Sequence, residues 1–505
     1  MIRPAFLFTD HAVLQSGRPV PIWGVCDSHT MIISFAGNSV PATVQEGRFT
    51  ATLPAMRAGT RGELRFVSES ETLLLRDIAV GEVWLAGGQS NMEHPVFCSS
   101  YDPGLVRADS DLRLFTVPRR TCYEGGTYGF HFEEMKAEDS PWQPCTEEVA
   151  AGFSAIAYFF AYRLRRALQV PVGIISCNWG ATRVECWTSE RYLATSPLCR
   201  RALEADAALP RKDDPATLAE HKAYQDGMAA FCATYRAKEL AKEQGVPYFL
   251  RHCGPNLPCS PAAAFYTRPS VLRESMLARL TPYALRGVIW HQGESNGRAD
   301  YADSREWYKA LFHAMMADWR EAFQNPDLPF YTVQIAAFNL DGAEKETWAP
   351  VRTAQEELGR EEGGRCYTVV SYDLGEPDNI HPAHKQPMGE RLAAAALCEE
   401  YGKKIAWRSP TLASCVRQGD EVTLTLRHAK RLSAAAGQVP AGLFLYRADG
   451  SSYEVSCRPE GNSIRFTIPA GEEAVAIGYG QRNYSHVNLQ NEEGLPVTPF
   501  YTVLK

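Results

Sequence analysis

The sequence predicts an α/β core built on an open parallel sheet, with β-rich segments before and after it. Three observations predict this. Four apolar runs each end in a compact polar cluster, strand-like runs alternate with helical periods over residues 79–405, and both flanks read as short strands separated by turn residues. With 505 residues the chain exceeds the roughly 250–300 residues at which a single core stops growing, so several domains are expected. The boundaries are expected near 78/79 and 405/406.

In the first segment, Val20–Gly24, Met31–Phe35 and Phe49–Leu53 are each followed by turn residues, a spacing that suggests a β-sandwich. Within the core, Ser154 stands where it can cap a helix whose apolar residues Ile156, Phe160, Leu164 and Leu168 recur every fourth position. Pro171 stops that helix, and the strand Val172–Cys177 follows. A long excursion, about 190–270, separates this strand from the next. It reads equally as a lid or a solvated spacer. A further helix is expected from Pro387 through Leu392 and Leu397 to Gly402. The last segment returns to strands at Glu421–Leu426, Gly442–Tyr446, Ser463–Ile468 and Ala474–Tyr479.

A hydrophobic content of 45% with 22% charged residues describes a globular chain, and a net charge of −7 argues against nucleic acid as a partner. No apolar stretch approaches the roughly 20 residues needed to cross a bilayer. The first residues lack the zones of a secretory signal, so the sequence as written is expected to be cytoplasmic, or periplasmic or secreted if a leader has been removed. The fourteen cysteines form no C-x-x-C pair, and most sit in apolar runs, as buried free thiols do. Cys253 and Cys259 would pair only in an oxidising compartment.

The polar clusters are Gly88-Gln89-Ser90-Asn91-Met92, Asn178-Trp179-Gly180, Gln292-Gly293-Glu294-Ser295-Asn296 and Asp378-Asn379-Ile380-His381. Open α/β sheets bind ligands at the carboxyl ends of their strands, so the four would converge on one crevice. Taken alone, Ser90 reads more readily as a cap or turn serine than as a nucleophile. The Asp378-x-x-His381 spacing changes that balance. A serine hydroxyl needs a positioned base, and a carboxylate fixes the histidine tautomer. Asp373 is the alternative orienting carboxylate. Candidate oxyanion donors are the amides of Ser90 and Gly180 and the side chain of Gln292 or, alternatively, Asn296. Gln89, Asn91 and Glu294 stand in the same clusters and are candidate substrate contacts, Glu294 equally a structural hydrogen-bonder. His384 has no further ligands at hand for a metal site, and no metal or cofactor is expected. Gly87-Gly88 lacks the remainder of a dinucleotide fingerprint.

The chain resembles the sialate O-acetylesterase family of the SGNH (GDSL-like) hydrolases, nearly end to end. The likeness is carried by Phe8–Gln15, Gly81–Met92, Asn178–Arg183, Trp290–Asn296, the stretch from Asp373-Leu374-Gly375 to Asn379-Ile380-His381-Pro382, and Asn491–Pro496. The resemblance implies a flavodoxin-like three-layer α/β/α hydrolase core. It also implies Ser90 as nucleophile, His381 as base, Gly180 as an oxyanion donor, and removal of acetyl groups from sugar hydroxyls without a metal.

Sugar recognition needs apolar platforms and planar hydrogen-bonding groups, for which Trp179, Trp187 and Gln334 are candidates. A sialic acid carboxylate calls for a guanidinium, from Arg183, Arg298 or, less directly, Arg352. An esterase acting on acetylated xylan is the rival enzyme, and a non-catalytic carbohydrate-binding protein is the rival from another class. The expected partner is an O-acetylated carbohydrate, with neither nucleic acid nor membrane; the oligomeric state is not legible.

Overall fold

The structure, a computed structural model, describes residues 1–119, 141–240, 259–297, 303–339, 347–361, 363–435 and 438–504. Its centre is a sheet in which β1 (Thr72–Gly88), β2 (Asp109–Thr116), β3 (Gln143–Cys145), β4 (Val172–Asn178), β5 (Gly287–His291), β6 (Phe330–Val333) and β7 (Cys366–Val369) lie in the order β3-β2-β4-β1-β5-β6-β7. All neighbours are parallel except the edge pair of β2 and β3.

β4, β5, β6 and the inner half of β1 are buried on both faces, which is why they read as continuous apolar runs rather than alternating ones. Trp84, Ala86, Ile174, Ile289 and Tyr331 join one core with helices α2 (Ala155–Leu168) and α5 (Lys385–Glu399). Their sequence neighbours Val83, Leu85, Ile175, Val288 and Phe330 join another, with α3 (Ser304–Ala322) and α4 (Trp348–Leu358). Ser154 caps α2 as expected, its hydroxyl accepting the Ala157 amide at 3.2 Å. Helix α5 begins at Lys385, two residues before the expected Pro387, and packs closely on α2. A Cβ added at Gly389 would lie 2.7 Å from the Ile156 carbonyl oxygen.

β1 does not stop where the first segment was expected to end. Its outer half pairs antiparallel with Arg61–Ser68, from Thr72 to Ala79, while Glu82–Gly88 pair with β4 and β5. The boundary expected at 78/79 therefore falls inside one strand. The expected strands of the first segment are present as Val20–Cys26, Met31–Phe35 and Arg48–Leu53. Those of the last segment are present as Glu421–Arg427, Leu443–Tyr446, Ser463–Thr467 and Ala476–Tyr479. The last segment shares a third core with Ala337, Val370 and Tyr372, which follow β6 and β7. The excursion forms helices at Pro197–Ala207 and Pro215–Leu240. Cys259 is a free thiol, and Cys253 lies outside the described residues. No helix among the described residues is long and apolar enough to cross a membrane.

Candidate active site

Strand register delivers three of the polar clusters to one level. Asn178 and His291 both stand opposite Gly88, at the carboxyl ends of β4, β5 and β1. Gly88 makes this close approach possible. Its φ is +138°, and a Cβ there would sit 2.1 Å from the His291 carbonyl oxygen, so only glycine fits. The chain then turns into α1 (Ser90–Glu93), a single helical turn with Ser90 at its first position.

The fourth cluster, in the loop after β7, brings His381 onto this turn. Its Nε2 lies 2.8 Å from the Ser90 hydroxyl, across 291 residues of sequence. Ser90 is half-buried and the His381 ring is largely enclosed, stacked at 6.3 Å on His94. The His381 amide donates to Asn379 Oδ1 at 3.0 Å. Glu376 braces the loop, accepting from the Ala383 amide at 2.6 Å and the Asn379 side chain at 2.9 Å. Burial, and then the positive charge of Lys385, push the imidazole pKa down to about 3, so the ring is neutral above that pH.

Neither expected orienting carboxylate reaches this ring. Asp378 is exposed and makes no hydrogen bond to His381 among the described residues. Asp373 is held by the Arg391 guanidinium at 2.7 and 2.8 Å. The D-x-x-H spacing puts aspartate and histidine in one loop, but the loop's side-chain bonds are made by Asn379 and Glu376, leaving Asp378 in solvent.

The oxyanion candidates also separate. The Ser90 N–H, at the first helical position, has no hydrogen-bond partner among the described residues. The Gly180 amide instead donates to Glu93 Oε2 at 2.9 Å, and the same carboxylate pairs with Arg119 at 2.7 Å. The Gln292 side chain donates to the Thr182 carbonyl and to Asn296 Oδ1, while Asn296 Nδ2 donates to Glu185. Both amides are buried and knit the loops after β4 and β5 together.

Several candidate substrate contacts likewise turn inward. Gln89, Asn91, Glu294 and Gln334 are each at most 3% exposed. Gln89 Oε1 accepts the Ser295 amide at 3.3 Å, and Gln334 Nε2 donates to the Arg352 carbonyl at 3.1 Å. Asn91 and Glu294 bond to each other at 2.5 Å. Trp187 is buried, its indole on Thr182 Oγ1, and Arg352 is buried against the Tyr372 ring. Arg298 lies outside the described residues.

Trp179 and Arg183 remain at the surface of the crevice. Trp179 stacks on Tyr266 from the excursion at 5.2 Å and 10°, and Tyr266 stacks in turn on Tyr224. Arg183 is half-exposed, 3.8 Å from a buried Glu185 carboxylate. It lines a cavity of about 320 Å³ with Ala181, Glu185, Arg201, Arg268 and Trp307, bordering the loop after β4 rather than Ser90 itself. Sequence reasoning missed Lys385, fully buried beside His381, and Glu93. No group of three or more His, Cys, Asp or Glu among the described residues is arranged to hold a metal ion.

Comparison with known proteins finds similar chains. Residues 263–398 match the family model described as "Carbohydrate esterase, sialic acid-specific acetylesterase". The chain is 27% identical to the sialate O-acetylesterase of Rattus norvegicus over 76% of its own length and 67% of that protein's. It is 26% identical to the Homo sapiens sialate O-acetylesterase over 66% of its length, spanning 56% of the human protein. Among solved structures, a carbohydrate acetylesterase from Xanthomonas citri superposes with a TM-score of 0.76 at 27% identity, with 99% of both chains covered. The chain is thus similar to sialate O-acetylesterases and to a solved carbohydrate acetylesterase.

Proposed function

We propose that this protein is a carbohydrate O-acetylesterase working through a Ser90–His381 pair on an SGNH-type, flavodoxin-like core. The observation that carries the reading is the 2.8 Å hydrogen bond between His381 Nε2 and the Ser90 hydroxyl. His381 takes the hydroxyl proton as Ser90 Oγ attacks the acetyl carbonyl. The Ser90 N–H donates to the oxyanion that forms, and such a donor is worth roughly 3–4 kcal/mol in the transition state. Collapse of the tetrahedral intermediate expels the sugar oxygen, which receives the proton from His381. Water, deprotonated by the same imidazole, then attacks the acetyl-enzyme and releases acetate. Neither Asp378 nor Asp373 serves as orienter in this reading, and the base is seated by its loop and by His94.

The relatives' names point to O-acetylated sialate as the substrate. Arg183 is the surface guanidinium suited to its carboxylate, and the Trp179–Tyr266 stack offers an apolar platform for the sugar. A boundary near 405/406 keeps the motifs of the crevice together, whereas the leading segment shares the strand Thr72–Gly88 and a core with them. The last segment's largely separate core supports that boundary. Ser90→Ala tests the central assignment. It is expected to abolish release of p-nitrophenol from its acetate ester with the thermal melt unchanged, and substantial remaining turnover in a folded variant rejects Ser90 as nucleophile.

A further inference from the structure

The residue after the serine and the residue before the histidine are joined directly. Asn91 Nδ2 donates to the Ile380 carbonyl at 3.1 Å, so one side chain links the turn that carries Ser90 to the loop that carries His381. The same carboxamide is gripped from both ends. Its Oδ1 accepts from Lys385 Nζ at 2.5 Å, and its Nδ2 donates to Glu294 Oε1 at 2.5 Å.

All three of these side chains are at most 2% exposed. An ammonium and a carboxylate buried together are tolerated only when their charges are compensated and their hydrogen bonds made. Here an amide makes the hydrogen bonds to both, while the Glu294 and Glu376 carboxylates support the charge on Lys385 against the burial that lowers its pKa to about 7. The amide oxygen faces the cation and its nitrogen faces the anion, the one orientation that suits both neighbours. An amide so oriented cannot flip, and its second N–H is left aimed at the Ile380 carbonyl.

We propose that Asn91, clamped between Lys385 and Glu294, is a positioning residue that sets the seat of the Ser90 hydroxyl against His381. The proposal rests on the reading of Ser90 and His381 as the reacting pair. Asn91 does not touch substrate. It acts by fixing the distance between the turn that carries Ser90 and the loop that carries His381.

The informative variant is the double substitution Asn91→Asp with Glu294→Gln. Asn91→Asp alone would turn a new carboxylate towards both Glu294 and the Ile380 carbonyl. Adding Glu294→Gln restores charge balance around Lys385 and supplies a donor to the new carboxylate, yet the Ile380 carbonyl still lacks its partner. Asn91→Ser is made in parallel as a smaller, neutral perturbation. Each is purified by gel filtration, and turnover of p-nitrophenyl acetate is normalised to the folded fraction. We expect kcat to fall about 100-fold with KM within threefold of wild type. The rate of labelling by a fluorophosphonate should fall in the same proportion. A folded variant with kcat within threefold of wild type overturns the proposal. Failure of both variants to fold also overturns it, by assigning the amide to folding alone. Failure of the wild-type protein to label at position 90 would sink the reading of the pair instead, and is read separately.

Discussion

The amide of Gly180 donates to the carboxylate of Glu93 at 2.9 Å, three residues beyond Ser90 on the same helical turn. The loop after β4 is thereby fastened to the turn that bears the serine, and Arg119 balances the charge. An amide expected to face an oxyanion spends itself on architecture.

Glu93→Ala should therefore act mainly on stability. Losing a largely buried acceptor for both an amide and a guanidinium costs about 1–3 kcal/mol. Glu93→Gln, which keeps an oxygen for Gly180 and loses only the charge, should cost less. Denaturant titration of the three proteins checks the order, and equal stability of wild type and Glu93→Ala would contradict it.

The two aspartates give a sharp comparison. Asp378→Asn and Asp373→Asn should each keep kcat within about threefold, because neither carboxylate touches the imidazole. An aspartate that orients a catalytic histidine is worth about 10⁴ in kcat. Asp373→Asn should also lose roughly 1 kcal/mol of stability through its ion pair with Arg391. A drop of several orders of magnitude in either variant would restore that residue as the orienter.

The pH dependence follows from the sign of the His381 shift. Its pKa is pushed down in the fold, to about 3, from an ordinary value of 6.5. Between these values the unfolded chain binds the extra proton and the folded one does not, so stability rises with pH across this window. Its contribution is fully present above pH 6.5 and is lost as pH falls towards 3. The buried His291, also shifted down by burial, adds in the same direction. Melting temperatures should fall on acidification through this range, and less steeply in His381→Ala. An equally steep fall in that variant would remove His381 from the account.

Arg183→Ala separates substrate classes. Activity on an O-acetylated sialic acid should fall at least tenfold while activity on acetylated xylo-oligosaccharides changes little. Acetate release on both substrates is the measurement, and equal losses would deny Arg183 a role in binding a carboxylate.

Gly88→Ala should be among the most damaging single changes in the chain. It places a methyl group 2.1 Å from a backbone oxygen at a left-handed φ, and the neighbouring strand has no room to yield. Loss of soluble folded protein is expected, and a variant that melts like wild type would show the register to be looser than described.

Much of the arrangement was legible because it is local. The all-apolar run Val172–Cys177 marks a strand covered on both faces, and Ser154 followed by four-residue spacing marks a capped helix. Gly88 before Ser90 marks a turn with no room for bulk. What escaped was set by partners distant in sequence. Lys385 stands among proline, histidine and alanine like any surface lysine, and its partners Asn91, Glu294 and Glu376 are met only in the fold. Gly180 looked like an oxyanion donor because nothing local reveals Glu93 opposite it. Asp378 has the right spacing and the wrong direction, since the loop's side-chain bonds run through Asn379 and Glu376 instead. Gln334 read as a sugar contact and Gln292 as an oxyanion donor for one reason. A polar residue at a strand end is as often a brace between loops as a ligand, and periodicity does not separate the two.

The strand from Thr72 to Gly88 also limits how this protein can be cut. Trimming the chain at residue 78 would break one continuous strand, strip Ala79–Gly81 of their partner Val13–Gln15, and leave the core fragment anchoring its reactive turn on half a strand. The leading segment is better regarded as the far end of the beam on which the serine is mounted, and a truncated protein lacking it would be expected to aggregate before it could be assayed.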